Sequence, residues 1–413
     1  MAQVVSGQRR SVHRAYVADR GAVTVSCQAV YAKLNGLAPD LSARLVRHTA
    51  DRAAAVLAHL HDGTPLLANP AAAGLEVRIV DGNHFAGTEH RLAEARTTRA
   101  APLPAQALVV LDPRRRLMVD MVPCENAHAQ ERALVPRLLE LVHADELWLA
   151  DRNFCTTVML FGIARRLAYF LIRQHASTLH VVAEGPVRPC GRIAAGTVSE
   201  QAVTIEDRAT GERMEVRRIT LALDVPTRDG ATTIVLLTNV PADVAGALEL
   251  AGLYKDRWQV EAAFGEMAKA LACEVRTLGY PRAAIFAFAL GLATYNAFAL
   301  VRGGLAAAHG EAVVRDEVSF HHLALDLAEG APGMLAVVGP KEWGAFARMD
   351  GREFADVMRA LMAGADLGRC AKSTRGERKP RPPRTSGKRN HHVATWKLLA
   401  TRQPTAAGSS AGP

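Results

Sequence analysis

The chain has no closely spaced cysteines. Its six (Cys27, Cys124, Cys155, Cys190, Cys273, Cys370) are scattered through 413 residues without one Cys-x2-Cys spacing. That excludes a thiolate zinc ribbon and a disulfide framework, and it fits a reducing cytoplasm. No secretory leader is expected from MAQVVSGQRRSVHRAYV, which contains no uninterrupted apolar run. Long uncharged stretches are scarce. Ala283 to Val301 is alone in running 19 residues without a charge, and it carries Thr294, Tyr295 and Asn296 near its middle. This reads as a buried core helix and not as a membrane span. No period suggests internal repeats. Acids are nearly absent from the C-terminus: from Arg369 onward there are 11 Lys/Arg and one acid, Glu377. Of the formal charge of +9, that tail therefore carries +10 and the rest of the chain −1. The basic character is local, either a solvated end or a phosphate-binding arm.

What is present is globular. Hydrophobic residues make up 49% and charged residues 22%, and 413 residues suffice for two or three domains with a sizeable core. Residues 1–73 read as a helical N-terminal region closed by Pro70. Within it, TVSCQAVYAKLNGL (24–37), with Val25, Ala29, Val30 and Leu34 apolar, resembles the second helix of a helix-turn-helix. Such helical pairs are also common without DNA binding.

Residues 74–177 change texture. VRIV (77–80) is a short buried strand ending on Asp81, before the turn-prone Gly82-Asn83. ALVVLD (107–112) and LMVDMVP (117–123) read as a hairpin, and QERALVPRLLELVHA (130–144) has helical spacing. ELWLAD (146–151) is a strand ending on Asp151, followed by Arg152-Asn153 and an apolar helix from about Phe154. YFLIRQ (169–174) is a fifth strand. Residues 178–231, rich in Val, Ile, Thr and Gly, read as a β-rich insertion. IVLLTNV (234–240) returns to the core, and Pro241-Ala242-Asp243 starts a helix. The core resumes over 232–302, a C-terminal helical region covers 303–368, and 369–413 is a basic, Pro-rich tail expected to be disordered.

The organising stretch is YKDRWQVEAAFGEMAK (254–269). Tyr254, Arg257 and Glu261 fall at i, i+3 and i+7, so they share one helix face. Val260, Phe264, Met267 and Leu271 form an apolar stripe beside it. An ordinary amphipathic helix with a solvated polar face would look the same. So would strand-end aspartates that merely cap turns. Taken together, however, Asp81, Asp151 and Glu261 are three carboxylates of the kind that hold two divalent cations about 3.5–4 Å apart for in-line displacement at a phosphodiester. Glu266 competes with Glu261, since about 140° of helix separates them and one alone can face the cations. Asn83 or Asn153 are placed to orient the adjacent aspartate, Arg152, His84 and His128 read as packing residues, and Trp258 reads as core or rim.

DGNHFAGTEHRL (81–92), LWLADRNFCT (147–156) and YKDRWQVEAAF (254–264) together resemble DDE-type transposases of bacterial insertion sequences. More narrowly, they resemble the IS-four group, whose third acid lies in a Tyr-x2-Arg-x3-Glu-x6-Lys signature. The resemblance spans about 75–302. It implies an α/β, ribonuclease-H-like catalytic core interrupted by a β-rich insertion. It also implies that Asp81, Asp151 and Glu261 are the catalytic, metal-binding triad for Mg²⁺ (two ions, replaceable by Mn²⁺). Tyr254 and Arg257 would be DNA contacts, and the DNA would be transposon ends and target. A homodimeric synapse and a bacterial, cytoplasmic, nucleoid-associated location, with no membrane partner, complete the implication.

Two departures stand out. The signature lysine position is Ala268, and the lysine is Lys269, one residue and roughly 100° further round the helix. Some relatives stack an insertion tryptophan on a flipped base, whereas Trp148, Trp258, Trp343 and Trp396 all lie outside 178–231. Relatives also often carry a longer end-binding region than residues 1–73. A transposase-derived DNA-binding protein without cleavage would share these features but need no acids, and none is missing. A ribonuclease-H-like nuclease without strand transfer is the third reading.

Overall fold

The computed structural model describes residues 11–21, 23–60, 74–87, 103–175, 177–227, 230–269, 271, 273–337, 340–373 and 395–400. Pro70, the end of the 81–92 motif and most of the basic tail, including KPRPPRTSGKR, lie outside these residues.

Three helices, α1 (Val12–Ala18), α2 (Cys27–Asn35) and α3 (Pro39–Leu60), precede the sheet. Ser11 and Ser26 cap the first two, each accepting a backbone N–H three residues on. Eight residues separate α1 from α2, longer than the three or four of a helix-turn-helix turn. Val25, expected on the apolar face, is exposed.

The strands are β1 (Glu76–His84), β2 (Gln106–Asp112), β3 (Leu117–Cys124), β4 (Glu146–Ala150) and β5 (Tyr169–Arg173). They are laid down as β3-β2-β1-β4-β5, antiparallel within β1–β3 and parallel through β1-β4-β5. A short 3-10 turn (Glu131–Leu134) leads into α4 (Val135–Leu139), and a second (Arg152–Phe154) precedes α5 (Thr157–Ala164). The stretch 130–144 is thus not one helix. Pro136 lacks an N–H and sits in the first turn of a new helix, where that loss costs nothing.

The β-rich segment does not stand apart. It comprises β6 (His180–Glu184), β7 (Arg188–Ile193), β8 (Gly196–Glu206) and β9 (Arg213–Leu223), and β10 (Thr233–Thr238) follows. β10 pairs with β5 on one side and β9 on the other, so core and insertion form one ten-stranded sheet. The next helix begins not at Pro241 but at Ala247. This helix, α6 (Ala247–Leu253), is entered through Gly246, whose N–H donates to Glu249 Oε2 at 2.8 Å. A 3-10 turn (Tyr254–Arg257), then α7 (Trp258–Lys269) and α8 (Pro281–His309) follow. The C-terminal helices are α9 (Glu311–Glu317), α10 (Phe320–Val337), α11 (Pro340–Phe346), α12 (Gly351–Ala363) and α13 (Thr395–Ala400).

Side chains alternate across the central strands, and both faces are buried. Ile79, Val109, Leu147 and Leu149 meet α6, α7 and α8, whereas Val80, Leu108, Trp148 and Ala150 meet α4 and α5. α8 is long and apolar enough to cross a membrane by length and composition, but 56% of its most apolar window is buried in the protein. Its polar residues have partners inside. Asn296, fully buried, brackets the backbone of Met118 on the edge strand β3, accepting from its N–H at 2.8 Å and donating to its carbonyl at 2.9 Å. Thr294 turns back to the Leu290 carbonyl at 2.8 Å.

Candidate active site

The parallel register of β1 and β4 sets Ile79 opposite Leu149. β4 ends at Ala150, so Asp151 lies just beyond the paired register, near enough to Asp81 for the two charges to disfavour each other. β1 does not end at Asp81. It continues through His84, because Asp81, Gly82, Asn83 and His84 pair with Val109 to Gln106 on β2. By alternation, Asp81 lies on the side of Ile79, facing α7 and α8. Its Oδ1 accepts the Gly82 N–H at 2.9 Å. Asp151 stands just past β4 and caps the turn behind it, accepting the Asn153 N–H at 2.7 Å.

The third group comes from the chain 100 residues on. Tyr254–Arg257 is a 3-10 turn and not the first turn of an α-helix. In that geometry i and i+3 eclipse, so Tyr254 and Arg257 stay on one side. Tyr254 is buried and donates to the carbonyl of Ala150, the residue before Asp151, at 3.2 Å. Burial pushes its phenol well above the ordinary range.

Arg257 is 7% exposed and lies among the acids. Its Nη1 is 3.5 Å from Asp81 Oδ2, and its Nη2 is 3.0 Å from Glu261 Oε1. Its Nε has no partner among the described residues. The guanidinium stacks 4.7 Å over Trp258, which is exposed and therefore rim. Asp81, Asp151, Glu261, Tyr254 and Arg257 are thus brought together at one edge. Burial pushes Asp81 up from 3.8 to about 7, with Asp151 and Glu131 adding to the rise and Arg257 and the Gly82 N–H opposing it. An environment that disfavours a carboxylate this strongly, with further acids beside it, favours a bound cation.

Lys269 is not part of this group. It is the last residue of α7, eight positions and roughly 12 Å of helix beyond Glu261. It lines a separate open cleft of about 1110 Å³ with Glu266, Arg302, Phe320 and Lys372. Glu266 is engaged there, accepting from Arg302 Nη2 at 2.7 Å, while Arg302 stacks 3.7 Å over Phe320. Glu266 therefore does not compete with Glu261.

One acid at the site carries no local signal in the sequence. Glu131, on the turn before α4, packs beneath Gly82. Its Oε2 accepts from Asn153 Nδ2 at 3.3 Å. Burial, then Asp151, pushes its carboxyl up, opposed by Asn153 and His84. The one hint was a glycine inside a strand, which marks a place where another group approaches closely.

Every donor here is oxygen, and several are carboxylates, which suits Mg²⁺ or Mn²⁺. Among the described residues, no three His, Cys, Asp or Glu side chains gather to hold one ion. Arg257 instead stands between Asp81 and Glu261, where a cation would neutralise them.

No curated protein matches the chain. Residues 72–297, more than half of its length, match the transposase DDE domain family, and that span contains β1 to β5, the β-rich segment and the Arg257 helix. The chain belongs to the transposase DDE domain family.

Proposed function

We propose that the protein is an Mg²⁺-dependent transposase of the IS-four group that cuts DNA at insertion-sequence ends and joins the 3′-hydroxyls to a target. The observation that carries this reading is the bridging of Asp81 and Glu261 by Arg257 beside Asp151, three acids spread over 180 residues meeting at one sheet edge. The strand order β3-β2-β1-β4-β5 supports a ribonuclease-H-like core.

Asp81, Asp151 and Glu261 would hold the divalent cations, which supply charge neutralisation at the phosphoryl oxygens and an activated water or 3′-hydroxyl. The chain's own groups do the positioning. Tyr254 fixes the backbone at Ala150 and so the carboxylate of Asp151 that follows it. Asn153 holds that carboxylate from the other side. Arg257, paired here with Asp81 and Glu261, would meet a DNA phosphate with its forked N–H groups. Lys269, in its own cleft, contacts DNA further from the scissile bond. A homodimeric synapse on paired ends belongs to the same reading.

Asp151→Asn tests it, since the change removes a ligand charge and retains the arginine contacts. Cleavage of an end-bearing duplex is expected to fall at least about 10³-fold, with end binding by gel shift unchanged. Cleavage at the wild-type rate would contradict the ligand assignment.

A further inference from the structure

Three acids satisfy the reading above, yet a fourth reaches the same edge. We propose that Glu131 is a positioning residue for the divalent cations, orienting Asp151 through Asn153 and adding negative charge beside Asp81. The inference rests on the cation-dependent reading of the site.

Two contacts carry it. Asn153 is a two-ended clamp: its backbone N–H holds Asp151 Oδ1 at 2.7 Å, and its Nδ2 holds Glu131 Oε2 at 3.3 Å. One residue thus ties the two carboxylates together. On its other side, Glu131 fills the space that a side chain at position 82 would occupy. A Cβ on Gly82 would lie 2.0 Å from Glu131 Oε1 and 2.5 Å from its carboxyl carbon. A glycine inside a strand costs roughly 0.5–1 kcal/mol against alanine, and here it admits a carboxylate next to Asp81.

The charge argument points the same way. Glu131 is half-buried, with a neutral amide as its hydrogen-bond partner, the His84 imidazole nearby and no Lys or Arg pair among the described residues. Among the described residues, the buried acids Asp112, Glu146 and Glu200 are each paired with an arginine, Glu200 with Arg217 at 2.5 Å. A carboxylate desolvated without a cation, beside Asp151 and Asp81, is a cost to the metal-free fold. A bound divalent cation turns that cost into affinity.

Glu131→Gln separates the charge from the shape, because glutamine keeps the volume and an oxygen for Asn153. Two readouts on the full chain decide the matter: Mn²⁺ binding by titration calorimetry, and the unfolding temperature in EDTA. Glu131→Gln is expected to weaken Mn²⁺ about 10–100-fold, the range for residues that orient metal ligands, while the unfolding temperature holds or rises. Gly82→Ala, which drives the carboxylate out but leaves the charge in the chain, is expected to weaken Mn²⁺ similarly. Mn²⁺ affinity within twofold of wild type in either variant overturns the inference. So does a Glu131→Gln protein that loses affinity and unfolding temperature together, since a structural contact alone would do that. Asp151→Asn is the reference. If it loses Mn²⁺ while Glu131→Gln keeps it, the Glu131 inference alone fails; if wild type and Asp151→Asn bind Mn²⁺ equally or not at all, the cation site itself fails with it.

Discussion

The two ends of β1 treat their acids in opposite ways. At its start, Arg78 is held by Glu76 at 2.5 Å, Glu146 at 3.0 Å and Asp112 at 3.7 Å, and Arg115 adds a 2.6 Å contact to Asp112. Glu146 also accepts the Trp148 indole N–H at 3.0 Å and the His143 N–H at 2.9 Å. Three acids meet two arginines, and the lone pairs are filled. At the other end, one guanidinium, that of Arg257, meets Asp81 and Glu261 and keeps an unpartnered Nε, while Asp151 and Glu131 have no Lys or Arg pair among the described residues. The strand, its neighbours and the burial are similar, so the difference lies in how well the charge is matched. A balanced cluster stabilises the fold, whereas an unbalanced one is what the proposed cation site would need.

Breaking the balanced end should give the largest effect on stability. Arg78→Met leaves three buried or half-buried acids short of a partner, and removal of one side of such a network costs about 3–5 kcal/mol. Urea unfolding would measure it, and a loss below about 1 kcal/mol would contradict the contrast. At the other end pH is the sharper probe. Asp81 has a folded value of about 7 against an ordinary 3.8, so between those values the folded state binds a proton that the unfolded state has released. Its stabilising contribution is therefore complete below about pH 4 and is lost as pH rises through 7. Melts in EDTA from pH 5 to 8 should show wild type falling relative to Asp81→Asn, and a pH-independent difference between the two would refute this. The smallest effect belongs to the inserted strands. Arg192 and Asp224, 2.7 Å apart and largely exposed, form a surface pair, so Arg192→Ala should cost under about 1 kcal/mol.

The core strands and the acids at the second end are legible in the sequence, the ion cluster at the first end is not, and the exceptions have physical reasons. The five core strands are marked by short apolar runs between turn signals, and their order follows from those runs. The end of β1 is not marked, because Gly82-Asn83 looks like a turn and is overruled by pairing with β2. Pro136 divides a stretch whose spacing is helical throughout. The face shared by Tyr254, Arg257 and Glu261 is visible as a periodicity, but the turn from 3-10 to α between Arg257 and Trp258 is not. Nor does periodicity reveal that Arg257 would lie between the acids. Glu131 is the clearest omission: an acid in a helical-looking run acquires meaning only through Gly82 and Asn153, which lie 49 and 22 residues away in the chain.

The most direct test of the unbalanced end as a cation-dependent cutting centre uses the DNA flanking the reading frame. Full-length protein would be incubated with a labelled duplex of those flanks in Mg²⁺ or in EDTA, with Glu261→Gln alongside. Nicking at the flank boundary that requires Mg²⁺ and disappears in Glu261→Gln is the predicted result. Nicking that persists in EDTA, or at an undiminished rate in the variant, would contradict the account.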